Sequence, residues 1–239
     1  MKSLLIVRHA QASFMAANYD QLSALGETQA RLLGTCWSAA NLRFDRVCAG
    51  PRERQKDTAR IVASAYASAG QDFPDVELYP EFDEYHAERV MQAALPVLLE
   101  SDPRTRELQA AFAEADQATE RRITFQRLFE HVIALWVRGD LYLQGVESWH
   151  EFCQRVHSGL DRFLADQTRV ERSVIFTSAG PLAVAVERAL SISPEATLQM
   201  SWMPRNCSWS EFLYSSRRFN LSSFNCFTHL TDPEHLTYR

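Results

Sequence analysis

Four stretches of the chain carry side chains suited to chemistry on an anion. An apolar run ends in Arg8-His9, Gly50-Pro51 leads into Arg52 and Arg54, an acidic stretch runs Glu81-Phe-Asp-Glu84, and Ser178-Ala-Gly-Pro181 follows a second apolar run. A guanidinium stays charged and offers a planar fork of donors that matches a carboxylate or a phosphate. Each stretch is weak alone, because a histidine beside an arginine is most often a surface pair and an arginine at a helix start is most often solvated. Their joint placement carries the signal. Ser178 at a strand-to-helix turn is similar to a hydrolase nucleophile elbow, but Phe176 stands where G-x-S-x-G needs its first Gly. His150 and His157 lack an acidic ligand at matching spacing, and His229 and His235 fall in a polar tail, so these four read as surface histidines and no metal site is expected. Phe125, Phe129 and Trp136 read as packing.

The elements that position these residues follow from periodicity. Ser3 to Val7 reads as a buried strand, and from Ser23, an N-cap residue, Leu25, Leu32, Leu33, Cys36 and Trp37 recur at helical spacing. Asp45 to Ala49 reads as a second strand. A helix then starts with Pro51 at its first position and closes on Gly70. Val76 to Tyr79 is a third strand, and from about Glu84 to Gly139 no strand pattern appears, which predicts a helical insertion. Glu147 to Ala165 reads as a helix, Ser173 to Ser178 as a strand feeding a helix to Leu190, and Ser208 to Tyr214 and Phe219 to Phe224 as closing strands. This alternation predicts an α/β fold, a three-layer α/β/α sandwich around a mostly parallel sheet with a helical cap. Right-handed crossovers bring the strand ends to one edge, where ligands of such sheets bind.

Composition narrows the partners. The 239 residues are 46% hydrophobic and 23% charged, enough to bury a core, and a net charge of -5 argues against nucleic acid or an anionic membrane as the main partner. Lys2 and Lys56 are the only lysines, so the positive charge is nearly all guanidinium. Five widely spaced cysteines without a C-x-x-C pair read as reduced thiols in a cytoplasmic protein. Leu4 to Val7 is too short for the core of a signal peptide, and no run approaches the roughly 18 apolar residues of a membrane span.

Longer motifs sharpen the reading. Leu4-Leu-Ile-Val-Arg-His-Ala10 is similar to an apolar strand followed by R-H-G, with Ala10 for the Gly, and Asp20-Gln-Leu-Ser-Ala-Leu-Gly-Glu-Thr-Gln-Ala30 to L-[ST]-x-x-G-x-x-Q-A. Gly50-Pro-Arg-Glu-Arg-Gln-Lys-Asp-Thr-Ala59 is similar to S-P-x-x-R-A-x-Q-T-A, and Glu147-Ser-Trp with Phe152 and Arg155 to E-S-x-x-x-F-x-x-R. In this order the motifs resemble those of the histidine phosphatase superfamily, also called phosphoglycerate-mutase-like. The resemblance implies one domain over residues 1–239 with an insertion at about 84–146, and a phosphomonoester hydrolase acting on a phosphorylated small molecule or phosphoprotein. It implies His9 as the nucleophile that becomes a phosphohistidine, and Arg8 and Arg54 as the phosphoryl clamp, Arg52 being the neighbouring alternative. Glu81 best matches the proton donor to the leaving group, with Asp83 and Glu84 inside the spacing. No cofactor and no metal is implied; the partner is the phosphorylated substrate, and a homodimer through the closing strands is left open.

The chain departs from the family at the fourth strand. The family ends it with [ST]-H-G-G, and here Ser178 stands in the histidine's place. A serine donates one neutral hydrogen bond, and loss of a preorganised donor typically costs about 10²- to 10³-fold in rate. The N–H groups of Ala179 and Gly180 are expected to offset part of this at the helix start. A second reading is therefore a weak or inactive relative that binds a phosphorylated ligand or partner through Arg8 and Arg54. Ala12 and Met15 replace the Ser and Asn of the mutase branch and place a phosphoglycerate mutase last. In a pocket otherwise built to the pattern, Ser178→His raises kcat on an aryl phosphate; no gain in a folded variant means a site rebuilt around the serine.

Overall fold

Extended runs of three to eight residues become the strands of one sheet, the central ones apolar through their middle. The structure, a computed structural model, describes residues 2–13, 20–165 and 170–238. The strands are β1 (Lys2–Arg8), β2 (Arg46–Ala49), β3 (Val76–Leu78), β4 (Arg172–Thr177), β5 (Trp209–Tyr214) and β6 (Phe219–Cys226), in the order β3-β2-β4-β1-β5-β6. β3, β2, β4 and β1 run parallel, and β5 and β6 each pair antiparallel with the strand before them in that order. β1 and β4 are buried on both faces, as central parallel strands are, whereas β5 alternates buried with half-buried residues.

Helices cover both faces, so the expected three layers are present. α1 (Ala24–Ala39) and α2 (Glu53–Ser68) pack together on one face, where Leu5, Val7, Leu33, Val62, Val174 and Phe176 meet in one buried cluster. α7 (Ala179–Leu190) lies against β1, β6 and α8 (Pro194–Trp202) on the other. Ser23 caps α1 as its type predicts, its Oγ accepting from Gly26 N at 3.0 Å. Pro51 is not the first residue of α2. Arg52 takes the cap position in extended conformation, its N–H held by Gln55 Oε1 at 3.1 Å. α8 has no counterpart in the sequence reading, although Ser193 accepting from Ala196 N, with Pro194 next, is an ordinary helix start.

The chain divides into two compact units, Met1–Glu84 with Arg155–Arg239, and Tyr85–Gln154. The second comprises α3 (Ala87–Ser101), α4 (Pro103–Glu114), α5 (Ala118–Arg138) and the start of α6 (Trp149–Ala165). It reaches beyond the 146 read from sequence because Trp149 packs edge-on against Tyr85 and Trp136, and Phe152 edge-on against Tyr85. Asp102 organises its helices: the carboxylate caps α4 by accepting from Thr105 N at 2.9 Å and also meets His131 Nε2 at 2.6 Å. His229, read as a surface residue of a polar tail, is buried in the first unit, and burial pushes its pKa down to about 4. Among the described residues no helix is long and apolar enough to cross a membrane.

Gly26 sets the approach of α1 to the chain beyond His9. A Cβ there would lie 2.1 Å from the Gln11 carbonyl oxygen, a backbone atom that cannot swing aside. Gly26→Ala is therefore expected to destabilise the fold by about 1–3 kcal/mol, the usual cost of overpacking, read as a lower urea midpoint. An unchanged midpoint contradicts this packing.

Candidate active site

The end of β1 is held so that its next residue, His9, sits against the start of α2. His9 N donates to Thr177 O at 2.7 Å, and His9 O accepts from Cys207 N at 3.2 Å. Ala10 N donates to Thr58 Oγ1 at 3.0 Å, and that hydroxyl donates to Arg54 O at 2.7 Å. Thr58 thus ties the β1 loop to the first turns of α2. Arg54 and His9 meet as a result, with Arg54 Nε donating to His9 Nε2 at 3.1 Å.

The hydrogen bonds select one tautomer of His9. Nδ1 lies 2.8 Å from Ala10 O, an acceptor only, so Nδ1 carries the proton and Nε2 the lone pair that Arg54 addresses. Burial, then the charges of Arg54 and Arg8, and more weakly Arg52, hold the His9 pKa well below the ordinary histidine value. With 7% of its surface exposed, His9 is a neutral imidazole at pH 7, a lone-pair donor among guanidinium groups.

Each arginine is oriented by a different partner. Arg54 Nη1 reaches Asp20 Oδ1 at 2.7 Å, and Asp20 Oδ2 accepts from Glu53 N at 2.9 Å. Arg8 Nη1 donates to Pro204 O. Arg52 Nε pairs with Asp83 Oδ1. Arg8 and Arg54, the expected clamp, are thus buried beside His9, while Arg52, the alternative, sits one step out on Asp83.

The acidic stretch sends its carboxylates to three different partners. Glu81 lies in a 3-10 turn, Pro80–Phe82, and its Oε2 accepts from Arg162 Nη2 at 2.8 Å, the guanidinium lying 4.1 Å from the Tyr79 ring centroid. Glu84 reaches the start of α7 instead, its Oε2 accepting from Gly180 N at 3.0 Å. The turn between them is pinned on several sides. Arg155 Nη1 donates to Glu81 O and Asp83 O, and Phe82 O accepts from Thr177 Oγ1 at 2.7 Å and Gln55 Nε2 at 3.3 Å. One of the N–H groups expected to help bind an anion, that of Gly180, is therefore engaged by Glu84.

Ser178 lies beside His9, because Arg8 and Thr177 are register partners at the end of β1 and β4. Its Oγ accepts from Gln55 Nε2 at 2.8 Å. Gln55, Thr58, Asp20 and Arg155 were not singled out as site residues from the sequence. Thr58 and Arg155 stand at fixed letters of the motifs, and Gln55 stands where the pattern has Ala, a mismatch that marks it. Met15 lies outside the described residues; Ala12 forms an isolated bridge with Leu22. Among the described residues no three His, Cys, Asp or Glu side chains cluster as metal ligands, and His157 pairs with Glu187 at 2.9 Å.

Known structures share this fold. A putative alpha-ribazole-5'-P phosphatase from Escherichia coli is 20% identical with a TM-score of 0.62, over 95% of this chain and 98% of that one. YhfR from Bacillus stearothermophilus is 16% identical with a TM-score of 0.65, over 96% and 100%. A phosphoserine phosphatase variant from Entamoeba histolytica, in complex with phosphoserine, is 15% identical with a TM-score of 0.62, again over 96% and 100%. No curated protein matches the sequence. The description "Histidine phosphatase superfamily (branch 1)" is that of the family matched by residues 4–94 and 86–226, nearly the whole chain and all four motif segments. The chain therefore belongs to the histidine phosphatase superfamily.

Proposed function

We propose that this protein is a phosphomonoester hydrolase that works through a phosphohistidine on His9, with Glu84 as the proton donor and no resident metal. The observation that carries the reading is the neutral His9, tethered at Nδ1 by Ala10 O and presenting Nε2 to Arg54. In the first step the Nε2 lone pair forms a bond to phosphorus as the bond to the leaving oxygen breaks, and that oxygen takes a proton from Glu84. Arg8 and Arg54 neutralise the phosphoryl oxygens, charge that a metal supplies elsewhere. In the second step a water oxygen attacks phosphorus, Glu84 takes back a proton, and the P–N bond breaks to restore His9. The named substrates of the structural neighbours, alpha-ribazole-5'-P and phosphoserine, support a small phosphomonoester ahead of a phosphoprotein. Five free cysteines suit a reducing compartment such as the cytoplasm.

Purified protein in EDTA is expected to hydrolyse an aryl phosphate, and His9→Ala to abolish this. Phosphate binding without turnover would instead support the binding-protein reading. Glu84→Gln is expected to lower kcat by about 10²- to 10⁴-fold on an alkyl phosphate and by less on an aryl phosphate, whose leaving group needs little help from an acid. Glu81→Gln is expected to leave kcat unchanged. The reverse pattern makes Glu81 the donor.

The pH dependence has a definite sign. The folded state keeps His9 and His229 unprotonated where the unfolded chain binds protons, so their contribution is complete above about pH 6.5 and lost as pH falls below it. Stability is expected to fall over that range, for His229 down to about pH 4. His229→Gln flattens the slope by up to about 1.4 kcal/mol per pH unit, measured by urea unfolding. An unaltered slope contradicts a buried neutral His229.

A further inference from the structure

Three positions at which the chain departs from the family pattern are neighbours in space. Gly50 stands for the Ser of S-P-x-x-R-A, Gln55 for its Ala, and Ser178 for the His of [ST]-H-G-G. Gln55 is fully buried. A Cβ on Gly50 would lie 2.2 Å from Gln55 Oε1, and Gln55 Nε2 lies 2.8 Å from Ser178 Oγ. The amide fills room left by the missing side chain at 50 and the missing imidazole at 178. The three departures form one packing unit.

The amide has one orientation. Oε1 accepts from Arg52 N at 3.1 Å, while Nε2 donates to Ser178 Oγ and to Phe82 O at 3.3 Å. A flipped amide would set NH₂ against an N–H and its oxygen against a carbonyl. Because Ser178 Oγ accepts from Gln55, the serine's own proton is left to donate, and among the described residues it has no acceptor although Ser178 is 1% exposed. A buried donor without an acceptor is costly, so a group that completes it is bound in preference to none. The register of β1 and β4 sets Ser178 next to His9 at the strand ends, and the adjacent residues Gln55 and Arg54 address Ser178 Oγ and His9 Nε2, the atom to which the phosphoryl group comes in the proposed reaction.

Resting on the phosphohistidine reading, we propose that the Gln55–Ser178 pair replaces the family's second histidine. Ser178 is the catalytic donor to a phosphoryl oxygen, and Gln55 is the positioning residue that turns its proton toward the substrate. Catalysis then proceeds with charge from the arginines and a neutral donor from the serine. This revises the expectation for Ser178→His, since in the presence of Gln55 an imidazole at 178 meets the amide and the single change lowers activity. Only the triple reversion Gly50→Ser/Gln55→Ala/Ser178→His makes room for the ring.

The test measures kcat and KM on an aryl phosphate, with acid-labile phosphoenzyme trapped in parallel and folding checked by circular dichroism. Ser178→Ala, which removes a single oxygen and preserves the fold, is expected to lower kcat about 10²-fold with little change in KM. Gln55→Met lowers kcat by a smaller factor. The double variant is no slower than Ser178→Ala, because Gln55 acts only through the serine. The triple reversion is expected to be faster than Ser178→His alone. Full kcat in Ser178→Ala overturns the proposal, as do additive losses in the double variant. If wild type gives neither turnover nor phosphoenzyme, the hydrolase reading fails and this one with it; if turnover depends on His9 but survives Ser178→Ala, only the pair is overturned. Should Gln55→Met fail to fold, Ser178→Ala still decides.

Discussion

The hydrogen bond from Arg54 Nε to His9 Nε2 is the contact on which the rest of the site depends. It joins the carboxyl end of β1 to the first turn of α2, and it fits only one tautomer of the imidazole, the one set by Ala10 O on the other ring nitrogen. The elements behind it are arranged to hold that geometry. Strand β4 fixes His9 N, the approach to β5 fixes His9 O, and Thr58 bridges Ala10 to Arg54. A buried histidine beside guanidinium groups stays neutral, so the fold maintains an unprotonated imidazole at the expense of stability in acid.

The carboxyl edge of a parallel sheet explains why distant segments converge here. β1, β4 and β2 end side by side, and their following residues supply His9, Ser178 and the turn into Arg54. The antiparallel strands β5 and β6 extend the sheet away from this edge. Helix α6 serves the site from behind: Arg155 holds the carbonyls of Glu81 and Asp83, so the turn that aims Glu84 is fixed by a residue more than 70 positions along the chain.

Local spacing made part of the site legible in the sequence. Arg54 precedes Thr58 by one helical turn, and that spacing is what lets the threonine hydroxyl cap the Arg54 carbonyl and reach Ala10. The strand ends and Ser23 as a cap were equally local. The choice among Glu81, Asp83 and Glu84 was not, because a 3-10 turn rotates neighbouring side chains to different partners, Arg162, Arg52 and Gly180 N. Gln55 eluded the sequence because its partner lies 123 residues away and its meaning comes from the histidine that is missing there. His229 reads as polar tail until the chain is seen folding back to bury it.

The most direct measurement is identification of the phosphorylated atom. Protein quenched during turnover of an aryl phosphate is digested and its phosphorylated peptide mapped, with ³¹P NMR distinguishing the two ring nitrogens. The account predicts an acid-labile phosphoryl group on Nε2 of His9. Phosphate on Nδ1, on another residue, or turnover with no phosphoenzyme under conditions that trap it would contradict it.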